Sequence, residues 1–471
     1  MIQSVNHVAL LPLYLAAGTA VLVLIADLVT GRRAVAAGTA VAGGLATAIA
    51  APATAAADPT FCTGDACSWV PSPVAGLMAV LFALLTVGVV GLSLPALRRG
   101  SAPAGEFCFL LACAMTGGVV IGYAGDLITL IVGLETLTLP LYVLVGLRRN
   151  VPGSSAALTF LLVSVISTAI ALLGAALLFA ATGALHLTAL TTTVAAPEFA
   201  ALVTVGASLI VVGFAFKVAA VPLHAWAPPT YDGAPLPVAA YLSTASKLGG
   251  VLALAMVVAR LETGPLLAVL AVLTMTVGNL VALRQARMVR LLAWSSVAQA
   301  GYILAPLAAG AAGVTAAVAY AVLFIVLEFT TFATVVALRP PAADGGEIAE
   351  YRGVGRRSPW PAAALVLAFA GLAGLPPGLA GLFAKVTIVD ALIDTGWGWL
   401  AGVVALNAVI ALAYYLRAAA ILYAGPPGLA VADLRPPKLP VSWPVAATIG
   451  VAAVIAIALG FAPQVLFDAL T

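Results

Sequence analysis

Hydrophobic residues run in long blocks along this chain, and polar residues are mostly confined to the short gaps between them. Fourteen blocks, at roughly 6–30, 34–53, 73–97, 105–123, 125–148, 154–182, 198–227, 235–260, 265–284, 290–310, 313–339, 359–393, 397–424 and 442–463, read as candidate spans. At 1.5 Å per residue, about 20 helical residues cross a hydrocarbon core of ~30 Å. The pattern predicts an all-α membrane protein of about 14 transmembrane helices, one polytopic domain over residues 1–471. The first block lacks a basic leader and a small-residue cleavage site, so it is expected to be a retained span.

Two blocks are interrupted. The seventh runs GFAFKVAAVPLHAWAPP, with Pro222 inside it and Pro228-Pro229 near its end. The twelfth contains AGLPPGLAGLFAK, where Pro376, Pro377 and several glycines must open the helix. Proline removes a backbone donor, and hydrocarbon cannot satisfy the polar groups each break frees; such breaks are tolerated where they line a hydrated cavity. The broken spans lie five helices apart, an odd offset that reverses orientation. Spans 4–8 (105–260) and 9–13 (265–424) therefore read as two inverted five-helix repeats with broken helices 7 and 12, a transporter architecture.

Composition sharpens this. Of 471 residues, 63% are hydrophobic, 8% are charged and the mean hydropathy is +1.18, whereas soluble domains carry about 25% charged residues. The net charge of +3 matters less than where the charges lie. With the N-terminus outside, Arg32, Arg33, Arg98, Arg99, Arg148, Arg149, Arg284, Arg287, Arg290, Arg339, Arg352, Arg356, Arg357, Arg417, Arg435 and Lys438 all fall at inner loops or helix ends. Only Arg260 falls outside, which is the positive-inside pattern. The remaining basic residues, Lys217, Lys247 and Lys385, are three of the chain's four lysines, and all lie within apolar spans.

Cys62 and Cys67 share an external loop and suit a disulfide if that compartment is oxidising. Cys108 and Cys113 lie in an apolar helix and read as buried thiols. There are three histidines and no CxxC pair or Cys/His cluster with metal spacing. No cofactor and no redox chemistry are expected in this chain, and no basic tail or motif points to nucleic acid. The expected surroundings are lipid bilayer, protons and other membrane subunits.

Depth along each helix places the charges. Glu135 lies nine residues after Asp126 and thirteen before Arg148, about 13 Å from the outer end and about 20 Å from the inner one. Lys247, between Pro235 and Arg260, is near the midplane, and Lys217 lies in the middle third of span 7. Lys385 is five residues before Asp390, about 8 Å below the outer surface. An ion at the bilayer centre costs at least ~2.5–3.5 kcal/mol. Burial disfavours the ammonium and a nearby carboxylate favours it, so Glu135 with Lys217 supplies a proton-exchanging pair. A static pair holding helices together is the alternative, but it leaves two further buried lysines unexplained.

Weaker candidates follow. His224, seven residues after Lys217, shares its helix face unless Pro222 turns it away, and it reads as a relay or as a partner for freed carbonyls. Glu328, a lone carboxyl in span 11, reads as a relay in preference to the alternative of a structural hydrogen bond. Asp27 reads as an inner-interface anchor, while the neutral Gln299 and Asn279 hold water without accepting protons.

At these residues the sequence resembles a family. FKVAAVPLHAWAPPTYDGAPLPVAAYLSTASKLGG (216–250), DLITLIVGLETLTLPLYVLVGL (126–147), GNLVALRQARMVRLLAWSSVAQAGYIL (278–304), EYRGVGRRSPW (350–360) and GLPPGLAGLFAK (374–385) resemble the proton-translocating antiporter-like subunits of respiratory complex I, NADH:quinone oxidoreductase. The Tyr231-Asp232-Gly233-Ala234-Pro235 turn and Lys385 look most like the N type among these subunits. The resemblance implies a translocase subunit of the cell membrane without a cofactor of its own, with NADH oxidation and quinone reduction elsewhere in the complex. It implies that Glu135 and Lys217 form the coupling pair, that Lys247 bridges two half-channels, and that Lys385 lies towards the exit.

Three departures stand out. Thr159 replaces a common lysine, Gln299 replaces the histidine of SSIAHAGY, and Glu328 stands where asparagine is usual; together they suggest a rerouted or water-mediated section between Lys217 and Lys385. The rival readings are a subunit of a multi-subunit sodium/proton antiporter, disfavoured by the turn and by Lys385, and a non-conducting structural spacer, disfavoured by the three buried lysines.

Overall fold

The computed structural model describes residues 5–192, 196–425 and 441–470. Arg435 and Lys438, expected at the inner face, lie outside the described residues. In chain order the elements are α1 (Leu11–Thr30), α2 (Arg33–Ala53), a hairpin of β1 (Thr60–Thr63) and β2 (Ala66–Trp69), α3 (Pro73–Arg98), α4 (Ala104–Tyr123), α5 (Leu127–Gly146), α6 (Val151–Thr182) and α7 (Ala189–Thr192). Then come α8 (Ala200–Lys217), α9 (Ala227–Gly233), α10 (Leu236–Tyr241), α11 (Lys247–Val258), α12 (Gly264–Ala282), α13 (Met288–Leu307) and α14 (Val314–Leu338). The chain closes with α15 (Val354–Arg357), α16 (Pro359–Ala373), α17 (Leu379–Asp394), α18 (Gly398–Tyr423), α19 (Trp443–Phe461) and α20 (Gln464–Leu470).

Among the described residues, twelve helical segments are long and apolar enough to cross a membrane, one of them Leu236–Val258, in which a π turn (Leu242–Ser246) joins α10 to α11. The other candidate spans are α13, which carries Arg290, Ser295, Ser296 and Gln299, and the broken pair α16 and α17. Side-chain N-caps open several helices: Ser72 accepts from Ala75 N, Asp126 from Thr129 N and Asn150 from Gly153 N. Each satisfies a donor that the first helical turn leaves free.

Both interruptions occur where proline and glycine foretell them. α8 stops at Lys217, and the chain runs irregularly through Pro222 before α9. α16 stops at Gly374, whose φ of 82° is left-handed, and Pro376-Pro377 precede α17. This second break is tight. A Cβ on Gly381 would stand 1.7 Å from the Gly371 carbonyl oxygen, so only glycine permits the crossing.

Neighbour relations recur along the chain. α4 packs on α5, α5 on α6, α6 on α8 and α11 on α8; later α12 packs on α13, α13 on α14, α14 on α16 and α18 on α16.

One face gathers the arginines. Arg33 donates to the Leu97 and Arg98 carbonyls, and Arg417 to those of Leu283 and Gln285. Arg287 bonds both Asp232 oxygens and also Asp344, and Arg339 bonds Asp344 and Glu350. Burial pushes the Asp344 carboxyl up, but Arg287, Arg148 and the Gly346 N–H together hold it below the ordinary aspartate range.

The hairpin joins the ends of α1 and α4 on the opposite face. Trp69 donates to the Ala9 carbonyl (2.9 Å) and stacks on Tyr123 at 4.7 Å. Cys62 and Cys67 face each other across the strands and are joined in a disulfide; Cys108 and Cys113 are free.

Candidate proton-conducting site

The first cluster forms where α5, α6 and α8 meet. Gly213 lets α8 press against α6, since a Cβ there would fall 2.7 Å from Ala171 Cβ. That approach carries Lys217, the last residue of α8, onto the hydroxyls of α6. Its Nζ donates to Glu135 Oε1 at 2.8 Å, to Ser164 Oγ at 2.8 Å and to Thr138 Oγ1 at 3.4 Å. Thr168 Oγ1 donates to the same Glu135 oxygen at 2.5 Å. The lysine side chain is 4% exposed and the glutamate side chain 22%.

Lys247 lies one turn from this cluster. Gly250, three residues further along α11, passes so close to Lys217 that a Cβ would sit 2.8 Å from Lys217 Cβ. Lys247 follows the π turn directly, and its Nζ donates to the Ser296 carbonyl at 2.5 Å and hydroxyl at 2.6 Å. It also stands 5.5 Å from the centre of the Phe324 ring, one turn before Glu328 on α14. Glu328 is fully buried, and neither carboxyl oxygen has a hydrogen-bond partner among the described residues. Its electrostatic neighbours are Lys247, Tyr231 and Tyr415.

Lys385 completes the series at the second break. Its Nζ donates to the Leu372 carbonyl at 2.9 Å and to that of Ala373 at 2.8 Å. These are carbonyls of the last turn of α16, left without helical partners by the break. The helix dipole points its negative end there, which favours a cation. The ammonium lies 5.5 Å from the Tyr302 ring.

A polar row lies between Lys247 and Lys385. Ser295, next to Ser296, pairs with the Tyr415 hydroxyl. Gln299 Nε2 donates to Tyr415 Oη at 3.2 Å and to the Leu372 carbonyl at 3.3 Å, while Tyr320 donates to Gln299 Oε1. Asn279 lies to one side, bonded to Tyr302, Asn407 and Tyr414.

His224 falls elsewhere. Because α8 ends at Lys217, the histidine lies in the irregular segment and does not share the lysine's helix face. Its ring packs 5.2 Å from that of Trp294. Pro222 supplies no helical N–H, so the face-sharing alternative is lost at the break. Thr159 is not among the hydrogen-bond partners of any of these lysines. Asp27 lies against Gly105 of α4.

Ser164, Thr168, Ser296, Tyr415 and Tyr320 were not singled out from the sequence. Two hydroxyls four residues apart in the apolar stretch of α6 were the available signal for the first two. Among the described residues, no group of three or more His, Cys, Asp or Glu side chains is placed to hold a metal ion.

Residues 124–411 match the family model described as NADH:quinone oxidoreductase/Mrp antiporter, TM. The chain is 58% identical to NADH-quinone oxidoreductase subunit N of Salinispora tropica, covering 99% of each. It is 46% identical to NADH-quinone oxidoreductase subunit N 2 of Streptomyces griseus, covering 91% of this chain and 84% of the relative. Its fold matches a chain of respiratory complex I from Thermus thermophilus with a TM-score of 0.83 at 28% identity, covering 98% of this chain and 99% of that one. A chain of the Mrp complex from Dietzia matches with a TM-score of 0.83 at 22% identity, a likeness of fold alone. The chain therefore belongs to the NADH:quinone oxidoreductase/Mrp antiporter family of membrane subunits, among the relatives named NADH-quinone oxidoreductase subunit N.

Proposed function

We propose that this chain, as subunit N of a proton-translocating NADH:quinone oxidoreductase, moves protons through Glu135, Lys217, Lys247 and Lys385, driven by quinone reduction elsewhere in the complex. The observation that carries the reading is the Lys217–Glu135 contact of 2.8 Å, with Ser164 and Thr138 also on the ammonium. Glu135 stabilises the charged lysine; when that carboxylate is neutralised or drawn away, the proton is released and the amine keeps its hydroxyl partners. Lys247 receives the proton on the neighbouring helix, and Lys385 holds it beside the carbonyls of the second break. Glu328 serves as an additional relay beside Lys247, and His224 serves as one at the first break.

The rest of the reading follows from this role. The chain crosses the plasma membrane fourteen times with its N-terminus outside, and 105–260 and 265–424 are inverted repeats. The recurring neighbour pattern of α4–α11 and α12–α18 supports the repeats, and the arginine-rich face supports the orientation. The chain carries no cofactor of its own.

The sodium/proton antiporter reading has less support, because the 58% identical relative is a quinone oxidoreductase subunit. Reconstituted complex carrying Lys217→Ala is expected to assemble and to reduce quinone while losing most proton pumping. Pumping at the parental ratio would remove the pathway.

A further inference from the structure

We propose that the Tyr415 hydroxyl is a proton-carrying group between Lys247 and Lys385, and that Gln299 positions it without carrying protons itself. This rests on the conducting reading above. The groups between the two lysines are hydroxyls, one amide and the backbone carbonyls of Ser296 and Leu372. A hydroxyl both donates and accepts; an amide N–H donates only, and a carbonyl accepts only. The last group on the Lys247 side able to pass a proton is therefore Tyr415.

The hydrogen-bond directions support this. The Leu372 carbonyl accepts only, so it fixes which end of the Gln299 amide faces it, and Tyr320 donates to the other end. The Nε2 group then donates to Tyr415 Oη and occupies one of its lone pairs. The Tyr415 proton consequently points away from Gln299, and the bond it shares with Ser295 can run in either direction. Glu328, an electrostatic neighbour of the same tyrosine, has two fully buried oxygens with no partner among the described residues. Tyr415 thus stands between an amide held in one orientation and a carboxyl lacking a donor.

The step needs no phenolate. With Ser295 as donor, one proton arrives from it on the remaining Oη lone pair as the original Oη proton, turned away from both Ser295 and Gln299, leaves through water towards Lys385. One O–H bond forms as the other breaks, and the phenol is neutral before and after. Gln299 cannot take this step, because its amide does not exchange protons at working pH.

Tyr415→Phe keeps the ring, whose neighbours are Tyr414 at 4.5 Å and Phe369 at 5.6 Å, and removes only the hydroxyl. In intact complex in proteoliposomes, the rate of proton pumping at matched quinone reduction is expected to fall about 100-fold or more, the scale of losing one proton-transfer group. The solvent deuterium effect on pumping should change with it. Adding Gln299→His should restore part of the loss, since an imidazole there touches both Tyr415's place and the Leu372 carbonyl. A purely structural tyrosine would show no such rescue.

Parental pumping and isotope effect in Tyr415→Phe would overturn the proposal. Should that variant fail to assemble, Tyr320→Phe decides. Freeing the Gln299 amide to turn must lower pumping severalfold, and no change there would equally overturn it. Lys217→Ala measured alongside separates the cases. If it pumps normally the conducting reading fails, whereas if it is inactive while Tyr415→Phe is parental only the tyrosine's role fails.

Discussion

Replacing Glu135 by Gln tests the coupling pair with the smallest change in shape. The amide keeps the volume and can still accept from Lys217 and Thr168, but the negative charge is gone. At 2.8 Å, and with an effective dielectric of about 20, the attraction removed is on the order of 6 kcal/mol. The ammonium still donates to Ser164 as in the parent and now donates to the amide oxygen, a bond worth ~1.5–3 kcal/mol that offsets part of the loss. The net loss is then about 3–5 kcal/mol, the usual range when one partner of a buried pair is removed. Glu135→Gln should assemble and reduce quinone, and it should pump less per electron than the parent but more than Lys217→Ala. The assay is simultaneous quinone reduction and dye-reported acidification in proteoliposomes. Because the two groups act as one unit, Glu135→Gln combined with Lys217→Ala should be no worse than Lys217→Ala alone. Undiminished pumping in Glu135→Gln, or additive losses in the double variant, would refute the reasoning.

Two shorter expectations accompany it. Glu328→Gln keeps volume and hydrogen bonding but releases no proton, so it should assemble and lose much of its pumping, with partial recovery on Gln299→His; parental pumping in Glu328→Gln with failed assembly in Glu328→Leu would make the residue structural. With the N-terminus outside, a membrane-impermeant thiol label should reach Cys62 or Cys67 in intact cells after reduction and never the buried Cys108, whereas labelling of the hairpin thiols only after lysis would invert the orientation.

Most of the helical order was legible because each span is a local property of the chain. Apolar blocks give the helices, and Pro222 and Pro376-Pro377 give the breaks within a few residues. The partners of the charges were not local. Ser164 lies 53 residues from Lys217, and Tyr415 lies 120 from Ser295. Hydroxyls in apolar helices are weak signals, because most bond the carbonyl one turn back; Thr86 and Ser93 do so, and so does Thr168 even while it serves Glu135. The π turn before Lys247 leaves no periodic mark in a sequence apolar on all sides. The position of His224 depended on how far Pro222 turns the chain, which no spacing rule fixes.

The breaks and the lysines are one solution, not two. Each buried ammonium is found where regular helix stops or changes: Lys217 ends α8, Lys247 follows the π turn, and Lys385 covers the last carbonyls of α16. The C-terminal ends of α8 and α16 favour positive charge, and at α16 the freed carbonyls accept from Lys385, which offsets part of the cost of burying a cation; Lys247, at the start of α11, is held instead by the carbonyl and hydroxyl of Ser296. A lysine in the middle of an unbroken apolar helix would have neither the helix end nor the freed carbonyls. Glu328 is the contrasting case. It lies inside the unbroken α14; among the described residues neither carboxyl oxygen has a hydrogen-bond partner, and its electrostatic neighbours are Lys247, Tyr231 and Tyr415. A helix break supplies carbonyls for cations at a C-terminal end, so it cannot stabilise a carboxylate in the same way. An acidic member of the row must instead depend on side-chain donors or water, which makes the hydroxyl-rich stretch from Ser295 to Tyr415 the part of the row where such a residue can be accommodated.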